Sequence, residues 1–144
     1  MNNHIAVIYW SGTGNTADMA QAVAEGAKSA GATVSIFEVR EITPEAAAAF
    51  DALALGCPAM GSEVLEEYEF EPFFGELEGK LSGKDVALFG SYGWGDGQWM
   101  RDWTERVEDA GASVCNGEGL AIQERPDEEG LKACRSMGAA LVNG

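Results

Sequence analysis

Ser11-Gly12-Thr13-Gly14-Asn15-Thr16 is the stretch of this chain whose residue types and spacing are best suited to chemistry. Glycines let a backbone turn tightly and approach a ligand, and Ser11, Thr13, Asn15 and Thr16 add side-chain donors. The stretch follows an apolar run, His4 to Trp10, and precedes a helical pattern from Ala17 to Ala30. A strand that feeds such a loop and then a helix makes an anion site: the loop N–H groups and the helix N-terminus converge on one spot, and the helix dipole favours negative charge there. The loop holds no Lys or Arg, so neutral donors alone would bind the anion, and the Walker A lysine is missing. Gly12-x-Gly14-x-x-Ala17 fits a loose dinucleotide fingerprint, with Glu38 near the place of a ribose-binding acid. Taken alone, the loop leaves mononucleotide, dinucleotide and a plain helix cap with turn glycines all open.

Two further loops carry one large soft side chain each. Met60 lies in Pro58-Ala59-Met60-Gly61-Ser62-Glu63, and Trp94 in Ser91-Tyr92-Gly93-Trp94-Gly95-Asp96-Gly97. Both are candidates to cap the core. A flat aromatic ligand between them would instead use Met as a polarizable contact and Trp as a stacking face. A phosphate on a linker leading to a planar ring matches all three loops, and flavin mononucleotide (FMN) has that form.

Acid–base and metal chemistry find little support. The one histidine, His4, lies at the start of the first strand, and the three cysteines, Cys57, Cys115 and Cys134, form no CxxC or metal pattern. They read as reduced thiols of a cytoplasmic protein. The net charge of −15 repels nucleic acid and anionic membrane and attracts basic partner surfaces. The N-terminus lacks a basic n-region, and no apolar run is of membrane length.

The elements that must position these loops alternate strand and helix. Helix 17–30 carries Met19, Val23, Ala27 and Ala30 on one face and stops at Gly31. Thr33 to Val39 reads as an edge strand, Glu45 to Phe50 as a short helix and Ala52 to Cys57 as a central strand. A helix beginning near Pro72 presents Phe70, Phe73, Phe74, Leu77 and Leu81 to the core. Val86 to Gly90 is a buried strand, followed by the Ser91–Gly97 loop and a helix lined by Trp99, Met100, Trp103 and Val107. The last strand lies within Val114 to Ile122, with a break at Asn116-Gly117, and a final helix opens at Pro126-Asp127-Glu128 with Leu131, Cys134, Met137 and Leu141 inward. The pattern predicts one α/β domain over residues 1–144, a three-layer sandwich around a five-stranded parallel sheet. If its strand order is 2-1-3-4-5, the loops after the first, third and fourth strands meet at the switch point, where such sheets bind ligands.

With the loops assembled, the chain resembles the flavodoxins of the short-chain clostridial type. The resemblance rests on Tyr9 to Thr16, Gly56 to Glu63, Ala87 to Gly97 and Trp99-Met100-Arg101-Asp102. It implies non-covalent FMN, with Ser11, Gly12, Thr13, Gly14, Asn15 and Thr16 around the phosphate. It implies Met60 on the inner flavin face, Trp94 on the outer, the backbone of Ser91, Tyr92 and Gly93 at the pyrimidine edge, and Ala59 and Gly95 among the cofactor-binding residues. Glu63 would accept from flavin N3–H, and the Gly61–Ser62 peptide would face N5. Pro58 stands where some relatives have Ser near the flavin tail, and Ser62 where some have Asp or Asn, so no tail contact is assigned to Pro58. The implied function is a low-potential one-electron carrier, shuttling between semiquinone and hydroquinone, a monomer that docks redox proteins through their basic patches and performs no bond chemistry of its own. The alternative on the same fold is an FMN-dependent NAD(P)H reductase, which needs nicotinamide room that Met60 and Trp94 would fill. The loops are read as lacking a nearby cation and as crowded by Glu63, Glu66, Glu67, Glu69 and Asp96, which would disfavour an anionic reduced flavin.

Overall fold

Along the central strands, alternate side chains leave opposite faces of the sheet, and this alternation builds two separate cores. The computed structural model describes all residues, Met1–Gly144. The central strands are β1 (His4–Tyr9), β3 (Ala52–Gly56) and β4 (Asp85–Tyr92). Ile5, Val7, Ala52, Ala54, Ala87 and Phe89 face α1 (Asn15–Ser29) and α5 (Glu128–Asn143). Ala6, Ile8, Leu53, Leu55, Val86 and Leu88 face α3 (Phe70–Glu78) and α4 (Gln98–Asp109). Covered on both faces, these strands read as continuous apolar runs, as parallel sheets do. The edge strand β2 (Thr33–Glu38) has no fully buried residue, and a short helix α2 (Pro44–Ala48), capped by the Thr43 side chain, follows it.

All strand pairs are parallel, in the order β2-β1-β3-β4-β5. The fifth position is filled by two pieces, β5 (Ser113–Val114) and β6 (Leu120–Gln123), both paired with β4. The break falls where the sequence marks it, with Asn116 in the left-handed region at φ 63°.

Three local readings need correction. The first helix starts at Asn15 rather than Ala17, so the glycine loop runs straight into its first turn. Ser91 and Tyr92 are strand residues, because β6 extends the ladder to Ser91↔Ile122 and Tyr92↔Gln123. The third helix begins at Phe70, ahead of Pro72, because the Glu66 carboxylate caps it: its oxygens accept from the N–H groups of Tyr68, Glu69 and Phe70, each at 2.8 Å. Burial pushes this carboxyl up, but the three backbone donors outweigh it and hold the group below its ordinary value.

The helices behind the second and third loops are locked together. Arg106 of α4 donates to both oxygens of Glu71 at 2.8 and 2.9 Å, also binds Glu78, and lies 4.8 Å over the Phe74 ring. On the other face, α1 and α5 touch backbone to backbone: a Cβ added at Gly138 would strike the Val23 carbonyl, and one at Gly26 the Arg135 carbonyl.

Candidate functional site

The carboxyl ends of β1, β3, β4 and β6 open onto a cleft of about 450 Å³, within the size range of small-molecule sites. Its walls come from four segments: Trp10, Gly12, Thr13 and Asn15 after β1; Pro58, Ala59 and Met60 after β3; Ser91, Tyr92 and Gly93 at the end of β4; and Glu124 and Arg125 after β6. A second hollow of similar size, between α4 and the β5–β6 break, touches the third loop through Tyr92, Asp96 and Gly97 but includes no residue of the first or second loop.

In the first loop Gly14 has φ 98°, a conformation L residues resist, and its turn aims the chain into α1. Ser11 Oγ accepts from the N–H groups of Gly14 (3.1 Å) and Ala17 (3.3 Å), and Thr13 Oγ1 from that of Asn15 (3.4 Å). These hydroxyls hold the loop open, while the N–H groups of Gly12, Thr13 and Thr16 have no acceptor within the chain. Thr16 is buried, and its hydroxyl lies 3.1 Å from that of Ser91, tying the loop to β4. The loop is therefore a set of neutral donors without a cation of its own, suited to an anion.

In the second loop Met60 and Val64 form an antiparallel bridge. The Glu63 N–H donates to the Met60 carbonyl at 2.7 Å, and the Met60 N–H to the Val64 carbonyl at 2.9 Å. Gly61 and Ser62 sit exposed at the tip of this turn, and Glu63 takes the left-handed position, φ 54°, usually filled by Gly or Asn. The Glu63 side chain packs on Gly95, where any Cβ would collide with the carboxylate. Its Oε1 is buried and lacks a hydrogen-bond partner. An orphaned buried carboxylate oxygen is costly unless a donor meets it, and a flavin imide N3–H is such a donor. The residues therefore fit FMN: donors for a phosphate in the first loop, and an unmet acceptor where the second and third loops touch.

Of the sixteen residues named from the sequence, Gly12, Thr13, Asn15, Ala59, Met60, Ser91, Tyr92 and Gly93 line the cleft. Ser11, Gly14 and Thr16 brace the first loop, and Gly61, Ser62, Glu63 and Gly95 lie beyond Met60 and Gly93. Trp94 stands 65% exposed, so it does not cap the core. Met60 is half-buried.

The electrostatic reading changes. Glu66 is spent on capping α3, Glu69 accepts from Trp10 Nε1 at 3.0 Å, and Asp96 pairs with Arg101 at 3.0 Å. Of the five acids read as crowding the site, Glu63 and Glu67 alone have no such partner. A cation is present as well, because Arg125 is part of the cleft wall. Trp10, Pro58, Glu124 and Arg125 are the wall residues that local patterns missed. For the last two the available signal was position, since the loop after the final strand must open at the same sheet end. No group of His, Cys and carboxylates is placed to hold a metal ion.

A family model described as flavodoxin matches residues 7–138. A flavodoxin of Clostridium beijerinckii is 48% identical over 137 residues, covering 95% of this chain and 98% of that protein. A flavodoxin of Megasphaera elsdenii is 47% identical over 139 residues, covering 96% and 98%. The solution structure of the two-electron reduced Megasphaera elsdenii flavodoxin superposes with a TM-score of 0.87 at 46% identity, covering 97% of this chain and 99% of that one.

Proposed function

The chain belongs to the flavodoxin family, and on that premise we propose how its own residues hold FMN and serve electron transfer. It is an electron carrier that uses FMN, not an enzyme acting on a substrate. When bound, FMN supplies the one-electron chemistry, and the protein supplies binding, orientation and electrostatics.

In this reading residues 1–144 act as one FMN-binding unit. Ser11, Gly12, Thr13, Gly14, Asn15 and Thr16 form the phosphate cradle, supported by the unpaired N–H groups of Gly12, Thr13 and Thr16. Met60 covers the inner flavin face and Trp94 the outer one, with Ala59 and Gly95 as further cofactor-binding residues beside them. The backbone of Ser91, Tyr92 and Gly93 meets the pyrimidine edge, and Glu63 Oε1 accepts from N3–H. The Gly61–Ser62 peptide would face flavin N5, and on turning over it would let the Gly61 carbonyl accept from an N5–H. The observation that carries the assignment is the orphaned Glu63 oxygen, buried against Gly95 beside a cleft whose other end is an anion loop.

Redox proteins are its partners. That they dock through basic patches onto a monomer is our inference from the −15 net charge. No helix is long and apolar enough to cross a membrane. The three free cysteines, Cys57 and Cys134 of them buried, support placement in the reducing cytoplasm.

The test is a visible spectrum of the purified protein followed by stepwise anaerobic reduction. A yellow protein that takes up two electrons in two resolved steps meets the expectation. Rapid bleaching by NAD(P)H without a second protein would transfer the chain to the reductases.

A further inference from the structure

Five arginines stand in this strongly acidic chain, and four of them hold a carboxylate: Arg40 on Glu38, Arg101 on Asp96, Arg106 on Glu71 and Glu78, and Arg135 on Glu128. Arg125 holds none, although Glu124, Asp127 and Glu128 are its near neighbours in sequence. It is also the single cation in the wall of the cofactor cleft. Its backbone is fixed on both sides. The Glu124 N–H donates to the Tyr92 carbonyl at 2.7 Å, the Gln123 side chain to the Gly93 carbonyl at 3.3 Å, and the buried Pro126 leads into Asp127, whose carboxylate caps α5. Glu124 takes a left-handed φ of 56°, an unusual conformation for a non-glycine residue. This turn directs the chain from the sheet edge at Tyr92–Gly93 into the cleft wall.

We propose that Arg125, the one unpaired guanidinium of the chain and the one cation on the cleft, sets the lower of the two one-electron potentials of the bound cofactor. The inference rests on FMN occupying this cleft. An electron added without a proton leaves a net negative charge in the cleft. A cation in the wall favours that state, against the repulsion from Glu63 and from the acidic chain as a whole. The electron comes from an external reductant, dithionite in the test, and no bond of the chain forms or breaks. Arg125 is exposed, so its pull is screened by water and salt.

The experiment compares FMN-loaded wild type with Arg125→Gln, Arg125→Glu and Arg125→Lys by potentiometric titration in low and high salt, alongside binding constants for FMN and riboflavin. Arg125→Gln should weaken binding of fully reduced relative to oxidised FMN by about three- to tenfold, as expected for one surface charge. A tenfold loss falling on one electron reads as ~59 mV in the lower potential. Arg125→Glu should roughly double the shift, Arg125→Lys should restore wild-type behaviour, and 1 M salt should shrink all differences. A lower potential unchanged in Arg125→Glu overturns the proposal. So does an equal movement of both potentials with loss of FMN but not riboflavin affinity, which marks Arg125 as a phosphate ligand. Failure of the wild type to bind FMN would overturn the functional reading itself, an outcome separate from bound FMN with an unshifted potential.

Discussion

Replacing Glu63 by Gln changes one buried atom pair and leaves the backbone alone, so it isolates the acceptor beside the cleft. The substitution keeps side-chain length and the packing on Gly95, and it asks the same left-handed φ of 54° from position 63. Two effects of opposite sign follow. In the cofactor-free protein the orphaned Oε1 is a desolvated charged oxygen, and a neutral amide relieves part of a penalty of roughly 1–3 kcal/mol. If half of that is recovered, about 1 kcal/mol, the melting temperature of the apoprotein rises by ~3 °C, taking an unfolding entropy of about 2.1 cal/mol/K per residue. With FMN the sign reverses, because a charge-assisted bond from N3–H, worth roughly 1.5–3 kcal/mol, becomes a neutral one. Losing half to all of it is roughly 0.8–3 kcal/mol, or about four- to 150-fold in Kd. Calorimetric titration with FMN and a thermal melt of the apoprotein read the two numbers independently. A Glu63→Gln protein that binds FMN as tightly as wild type, or whose apo form melts lower, refutes the assignment of the orphaned oxygen to the cofactor.

Four other outcomes are expected. FMN should bind orders of magnitude more tightly than riboflavin, with Thr13→Ala weakening FMN more than riboflavin in paired titrations; equal affinities would remove the phosphate cradle. Gly61→Thr should leave stability unchanged, because a Cβ there meets nothing within 4 Å, yet it should narrow the gap between the two one-electron potentials, since the restricted backbone resists turning over. Glu66 has its folded-state pKa lowered, so its capping contribution is fully present above the unfolded value of about 4.3 and is lost as pH falls through the folded value below it. Acid unfolding followed by circular dichroism should therefore lose that component in Glu66→Gln, which is also less stable near neutral pH. Electron transfer to a basic partner should slow as salt rises while association limits the rate, and stopped-flow rates indifferent to salt would remove electrostatic steering.

The features legible in the sequence are those written locally. Glycine-rich stretches after apolar runs mark the three loops, and the alternation of strands and helices points to the parallel sheet seen in the structure. Asn116-Gly117 marks the break between β5 and β6 just as directly. What was hidden depends on partners distant in space. Glu66 looks like any other member of an acidic run, since nothing in its own type says that three N–H groups converge on it. Asp96 and Glu69 look like free charges until Arg101 and Trp10 are placed beside them. Glu124 and Arg125 join the cleft only because β6 pairs with the end of β4, a contact across more than 30 residues of chain. Ser91 and Tyr92 read as loop for the same reason, because the ladder that extends their strand is supplied by β6.

The backbone contact between α1 and α5 bears on how the molecule is made. The helix that follows the glycine loop is among the first elements to leave the ribosome, and the helix it leans on, through Gly26 and Gly138, is synthesised after every other element of the fold. Until α5 arrives, the face of α1 that Gly138 packs against, at Val23 and Ala27, lacks its cover. Contacts between segments so far apart in sequence form late, because closing a long loop costs entropy before the contact rewards it. A nascent chain therefore emerges with the residues of the glycine loop complete, and the helix behind them gains its full cover once α5 docks.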